Sequence, residues 1–249
     1  EPEEPKAPEI ADTVFKVTID GKDAQLGEPE APVSLVVFSE FECPFCAKIK
    51  PTLKALQKEF GTSLRIVFKH NPLAFHENAR SASEAALCAK DQGGFWKMHD
   101  WLFDHQDTLD APSLLASAKT LGLNEKQFAT CMAGDTHRTQ IDNDLALAAS
   151  VGARGTPNSF VNGRGIQGAQ PLAVFKALIV EELAKAKALT EEGILPADLY
   201  AHIIKKGKQF PDLGDKEHDF VMKDAPIQGD WTHAPMKITV FSDFQCPYC

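Results

Sequence analysis

The sequence predicts an α/β fold: a central mixed sheet flanked by helices, with an all-helical insertion between its two halves. Three observations carry that prediction. Residues 33–38 are an almost unbroken apolar run, as expected for a central strand buried on both faces, and they deliver Cys43-Pro44-Phe45-Cys46 to the start of a helix. Residues 64–68 form a second short apolar strand behind Gly61, which makes a βαβ unit with parallel strands. From about 76 to 150 the signals are helical throughout, and a two-stranded antiparallel return follows at 158–168.

The elements follow in chain order. Residues 1–12 are rich in Pro and Glu and read as an extended spacer, left after processing or standing beyond an anchor outside this sequence. Residues 15–20 alternate in polarity and close at Asp20-Gly21, the pattern of a half-buried strand. Behind the central strand, Ile49, Leu53, Leu56 and Phe60 recur at helical steps and Gly61 stops the helix. Pro51 lies within it, a kink that costs about 3 kcal/mol and must be offset by packing. Helices are then expected over 78–90, ending at Gly93-Gly94; over 95–105, with its aromatic set; and from Asp110-Ala111-Pro112. Asn124 to Gln127 reads as a capping box, and another helix starts at Thr136. Asn162-Gly163 joins the two return strands, residues 171–189 form a closing helix, and 190–208 a short helical connector.

Two cysteines two residues apart at a helix start are suited to thiol–disulfide exchange. Unpaired amide N–H groups and the positive dipole end favour an anion there, so the Cys43 thiolate should form below the usual ~8.5, with Cys46 the less exposed partner. Half of a zinc site is the competing reading, but the only other such pair lies about two hundred residues away, and zinc sites bring their second pair closer. No metal site is therefore expected. Cys88 and Cys131 each fall on an apolar helix face; the choice is between buried free thiols and a structural disulfide, and an oxidising compartment favours the disulfide. His70, His76, His99 and His105 have no ligand-like spacing and read as surface or packing residues, although His70 and His76 could approach the active-site face.

Taken together, strand, Cys-Pro-Phe-Cys, kinked helix, strand, helical insertion and Gly155-Thr156-Pro157 before a strand resemble the thioredoxin superfamily, and within it the DsbA-like thiol:disulfide oxidoreductases. The likeness covers residues 13–189 and extends to the segments after each strand, 69–73, 160–163 and 166–169. It implies a thioredoxin-like fold in which Cys43 is the attacking and attacked cysteine, Cys46 resolves, and the Pro44-Phe45 dipeptide tunes the pair. It also implies that Pro157 is a cis-proline facing the cysteines, with Thr156 before it offering backbone to an extended substrate strand. Two positions depart from the pattern. Phe45 stands where family oxidants often carry a His, and Val37 where a buried carboxylate often lies six residues before the first cysteine. The nearest acids, Glu40 and Glu42, would raise the thiolate pKa if they lie close.

Residues 235–249 repeat 32–46 without a gap and end in Cys246-Pro247-Tyr248-Cys249, so 218–249 read as the start of a second copy behind a connector at 190–217. Residues 236–241 are an apolar, β-prone strand that must pack on the first domain, pair with another chain to give a dimer, or stay partly disordered. With 249 residues, 43% hydrophobic, and a net charge of -9, the chain has no basic patch for nucleic acid and no apolar run long enough for a bilayer. Six cysteines suit an oxidising compartment. The reading is an extracytoplasmic oxidoreductase, free or tethered through an anchor outside this sequence, that needs no cofactor beyond its redox-active disulfide, acts on protein thiols or disulfides, and exchanges electrons with a membrane-bound partner. A reductase or isomerase of the same fold, and a binding module with inert disulfides, are the alternatives.

Overall fold

A computed structural model of the chain describes residues 11–210. Five strands, β1 (Ala24–Leu26), β2 (Val33–Ser39), β3 (Leu64–His70), β4 (Asn158–Val161) and β5 (Arg164–Gln167), form one sheet in the order β1-β3-β2-β4-β5. β2 and β3 are parallel, with Val33 opposite Leu64 and Ser39 opposite His70, and the other three pairs are antiparallel. The connection between the parallel strands is helix α1 (Pro44–Phe60). Helices α2 (Ala79–Lys90), α3 (Phe95–Asp104), α4 (Ala111–Thr120), α5 (Glu125–Ala133) and α6 (Arg138–Ser150) lie between β3 and β4, and α7 (Leu172–Glu191) and α8 (Pro196–Ile204) follow the sheet.

Every residue of β2 is buried, and its side chains divide by parity, as a strand covered on both faces requires. Val33, Leu35 and Val37 pack with Ile49 and Leu56 of α1 and with Phe175 and Ile179 of α7. Val36 and Phe38 face the other way, onto Val67, Phe160, Ala148 and Val151. The insertion has its own apolar cluster, in which Phe41 and Phe68 from the sheet side meet Ala85, Met98, Leu102, Leu114 and Phe128. The turn between β4 and β5 consists of Asn162 at φ 45° and Gly163 at φ 86°, the left-handed pair of a tight hairpin. A Cβ on Gly163 would lie 2.6 Å from the Phe15 carbonyl, so the position is closed to a side chain as well.

Two local expectations are corrected. Residues 15–20 do not form a strand: Val14 and Phe15 make isolated bridges, to Arg164 and Lys208, and the Val17 carbonyl accepts from the Tyr200 hydroxyl at 2.6 Å instead of a ladder amide. The alternation in that segment reflects packing of Val17 and Phe15 under Phe160, not pairing. At α5, Asn124 Oδ1 accepts from the Gln127 N–H as expected, but the Asn124 N–H donates to Gln92 Oε1, so the other half of the capping box comes from the turn after α2.

A buried ionic knot fastens the insertion to the sheet. Lys69 Nζ on β3 lies 2.7 Å from Asp23 Oδ1 and 3.0 Å from Asp144 Oδ1 on α6, and Asp144 Oδ2 accepts from the His70 N–H. Burial pushes the Asp144 carboxyl up to about 6, against the pull of Lys69. Lys69→Met abandons two buried carboxyls and is expected to cost about 3–5 kcal/mol in urea denaturation at pH 7. The loss should be smaller at pH 5, where the Asp144 carboxyl takes up a proton; an unchanged midpoint at pH 7 would show that the knot does not hold the fold.

Candidate active site

β2 ends at Ser39, and after a short bend at 40–42 Cys43 stands as the N-cap of α1 with φ -71° and ψ 118°. Pro44 at the first helical position gives up an amide that would have no helical partner, and its fixed φ suits the helix start. The Cys43 carbonyl accepts from Cys46 N at 3.0 Å and Ala47 N at 3.2 Å, so the helix begins one residue after Cys43. Cys43 and Cys46 are both free thiols, 4% and 0% exposed, whereas Phe45 between them is 46% exposed with Lys48 Nζ 4.9 Å from its ring centre. The helix runs through Pro51 without interruption.

The loop before β4 closes over this helix start from 113 residues away. The Thr156–Pro157 peptide bond is cis, and the Cys43 thiol donates to the Thr156 carbonyl at 3.4 Å. Asn71, just past β3, holds the loop: its backbone N–H donates to the Ser39 carbonyl at 3.0 Å and its side chain to the Ala153 carbonyl at 2.9 Å. Gly168 N donates to the Pro157 carbonyl from the far side of the hairpin. Cys43, Cys46, Thr156 and Pro157 are thus brought together by the ends of β2, β3 and β4.

The electrostatics separate the two sulfurs. Hydrogen bonding from the Cys46 thiol lowers Cys43 to about 5; burial opposes this, and the Thr156 side chain and the backbone N–H groups of Cys46 and Phe45 add to it. Burial raises Cys46 far above the ordinary thiol range, and the neighbouring Cys43 raises it further. Glu40 does feel the Cys43 charge, which helps to raise its own carboxyl, but the hydrogen bonds at Cys43 outweigh that repulsion, and both acids are also bonded elsewhere. Glu40 is fully buried; its Oε2 accepts from the Glu42 N–H at 2.7 Å and its Oε1 lies 2.5 Å from His76 Nδ1. Burial raises Glu40 to about 7. The Glu42 carboxylate accepts from Asn78 N at 2.7 Å and Asn78 Nδ2 at 3.1 Å.

Sequence reasoning missed one contributor. Gln106, after α3, donates to the Phe41 carbonyl at 2.6 Å and the Cys43 carbonyl at 3.1 Å, clamping the bend from the insertion side. Nothing in its local sequence marks it. His76 approaches the active-site face as one of the readings allowed, while His70 and His99 pack among Phe41, Phe68 and Phe95 and His105 stacks on Trp101. Burial lowers His70 to about 3, so it is a neutral packing residue. Cys88 on α2 and Cys131 on α5 form a disulfide, Cα–Cα 5.8 Å, across a separation of 43 residues. Cys246 and Cys249 lie outside the described residues.

The family model described as Thioredoxin matches residues 20–181. Among solved structures, a thioredoxin-like oxidoreductase from Silicibacter pomeroyi is 25% identical with a TM-score of 0.61, covering 67% of this chain and 94% of that one. Oxidised BdbD from Bacillus subtilis is 24% identical, TM-score 0.62, over 69% of this chain and 98% of that one, a likeness of fold. Two curated relatives are named as Na(+)/H(+) antiporters. NhaA 3 of Salinispora tropica is 36% identical over 82% of this chain and 30% of its own length. NhaA 1 of Salinispora arenicola is 37% identical over 70% and 27%. The chain therefore spans less than a third of either antiporter.

In the reduced protein, thiolate absorbance near 240 nm and iodoacetamide labelling of Cys43 are expected to rise with pH through about 5, with Cys46 labelled far more slowly. A midpoint near the ordinary ~8.5 would show that the donors around Cys43 do not stabilise its anion.

Proposed function

The chain belongs to the thioredoxin family, and on that premise we propose that it is an extracytoplasmic protein thiol–disulfide oxidoreductase working through Cys43 and Cys46. The observation that carries the reading is the asymmetry of the pair: a sulfur with its pKa lowered to about 5 beside the cis-Pro157 loop, and a buried partner that stays protonated. In the oxidising direction a substrate thiolate attacks the Cys43 sulfur, a substrate–Cys43 disulfide forms, and Cys46 leaves and takes a proton. A second substrate thiolate then attacks the substrate sulfur and expels the Cys43 thiolate. The substrate dithiol has become a disulfide and the protein disulfide a dithiol, so electrons balance. A low-pKa sulfur is the better leaving group in the second step, which favours this direction. Exposed Phe45 and Phe75 offer apolar contact to an unfolded substrate, and the Thr156 backbone offers strand-like pairing.

Reoxidation requires an electron acceptor, and a membrane-bound redox partner suits an extracytoplasmic enzyme. The portion shared with the curated antiporter relatives is long enough that it must overlap the thioredoxin match, so we take it as a thioredoxin-type part of longer proteins and propose no ion exchange for this chain. Among the described residues no helix is long and apolar enough to cross a membrane. The reductase or isomerase direction keeps two points in its favour, Phe45 between the cysteines and Thr156 before the cis-proline.

Equilibration with glutathione should give a Cys43–Cys46 potential between the ~-270 mV of thioredoxin and the ~-120 mV of DsbA, and Phe45→His should make it more oxidising. A value at or below the thioredoxin level would reverse the direction proposed. In a peptide-oxidation assay, Cys43→Ser with Cys46→Ser is expected to abolish turnover, while Cys246→Ser with Cys249→Ser leaves it standing. Turnover that survives the first pair would move the activity to the second motif.

A further inference from the structure

The helical insertion gathers a second set of sulfur, carboxylate and imidazole groups, none of them part of the Cys43–Cys46 motif. α2 places Glu84 and Cys88 one turn apart, 4% and 1% exposed; α5 brings Cys131; and the turn between α5 and α6 brings His137. One ligand atom from each of Glu84, Cys88, Cys131 and His137 lies within 4.8 Å of the others. We propose that reduction of the Cys88–Cys131 disulfide converts this cluster into a zinc-class metal site with those four residues as ligands.

Several observations support that assignment. Glu84 Oε1 accepts from the His137 N–H at 2.9 Å and lies 3.8 Å from Cys88 Sγ, while Glu84 Oε2 is buried with no hydrogen-bond partner. A buried carboxylate oxygen without a partner is costly, and a cation beside it removes the cost. The His137 ring, 15% exposed, is held through Nε2 by Asp91 Oδ2 at 2.9 Å, the carboxylate support that metal-bound histidines commonly have. Two thiolates on tetrahedral zinc, at about 2.3 Å each, sit about 3.8 Å apart, which fits within the space the four ligand atoms already occupy. Two sulfurs, one nitrogen and one oxygen make a closed four-coordinate set with no position left for substrate, so the site is structural.

The chemistry balances with a dithiol as reductant. The dithiol gives two electrons and two protons to the Cys88–Cys131 bond and becomes a disulfide. Zinc then displaces both thiol protons to solvent and takes the Glu84 carboxylate and the neutral His137 ring. The junction of α2, α5 and α6 is thereby cross-linked in either state, by sulfur–sulfur when oxidised and by metal when reduced. The inference does not depend on what Cys43 and Cys46 do.

The test uses the full chain with Cys43, Cys46, Cys246 and Cys249 each replaced by Ser, so that Cys88 and Cys131 are the only cysteines. After phosphine reduction and removal of the phosphine without air, Co2+ is expected to bind at one equivalent, with a near-ultraviolet thiolate-to-cobalt band and tetrahedral visible bands that Zn2+ abolishes. The oxidised protein should show neither. Glu84→Gln and His137→Gln should each weaken Co2+ binding by about tenfold or more. Absence of the thiolate band, or equal affinity in both ligand variants, overturns the proposal. If the fourfold variant does not fold, peptide mapping of the reduced native chain replaces it: Zn2+ should slow alkylation of Cys88 and Cys131 together, tenfold or more. Equal rates with and without Zn2+ would be equally decisive against it.

Discussion

An anionic sulfur that is 4% exposed has to be surrounded by hydrogen-bond donors, and much of the fold can be read as the means of supplying them at one point. α1 contributes its first free amides and the Cys46 thiol, and the loop before β4 brings the Thr156 backbone against the sulfur. None of these works unless the ends of β2, β3 and β4 are held level. That alignment is the task of the parallel β2–β3 ladder, the antiparallel β2–β4 ladder and the Asn71 side chain that ties the loop to β3. Burial alone would raise the Cys43 pKa, so its low value measures how completely the donors outweigh desolvation.

The insertion is tied into the same geometry. Gln106 clamps the bend carbonyls, His76 closes on Glu40, Asn78 is held by Glu42, and Asp144 meets Lys69 under the sheet. The acidic residues beside the cysteines therefore serve as anchors for incoming loops. Glu40 is the sharper case, since a carboxyl raised to about 7 by burial changes charge near neutral pH, next to a half-buried imidazole that opens to solvent.

What was legible in the sequence was whatever depends on local pattern. An apolar run buried on both faces, a helix stop at Gly61, an N-cap at Asp110 and an Asn-Gly hairpin each write their own signature within a few residues. The Cys-x-x-Cys motif was legible because both cysteines and the helix start that carries them fall within a few residues. The Glu40–His76 contact spans 36 residues and Gln106 reaches Phe41 across 65, and neither partner has a neighbour that advertises the other. Residues 15–20 misled because alternation reports one buried face and not a hydrogen-bonded partner; the partners there are a turn carbonyl at Gly163, the Lys208 backbone and a tyrosine hydroxyl. The expected second copy at 218–249 lies outside the described residues.

The unequal acidity of the two thiols sets the stoichiometry of protons to electrons. Reduction of the Cys43–Cys46 pair takes up two electrons, but above about pH 5 the Cys43 sulfur remains an anion and only Cys46 keeps a proton. The couple then moves by about 30 mV per pH unit and not the twofold steeper slope of an ordinary dithiol. Against a substrate dithiol that keeps both protons, the gap between the two couples therefore widens or narrows by about 30 mV for each pH unit, so acidity itself adjusts the driving force for exchange, by about tenfold in the equilibrium constant per unit.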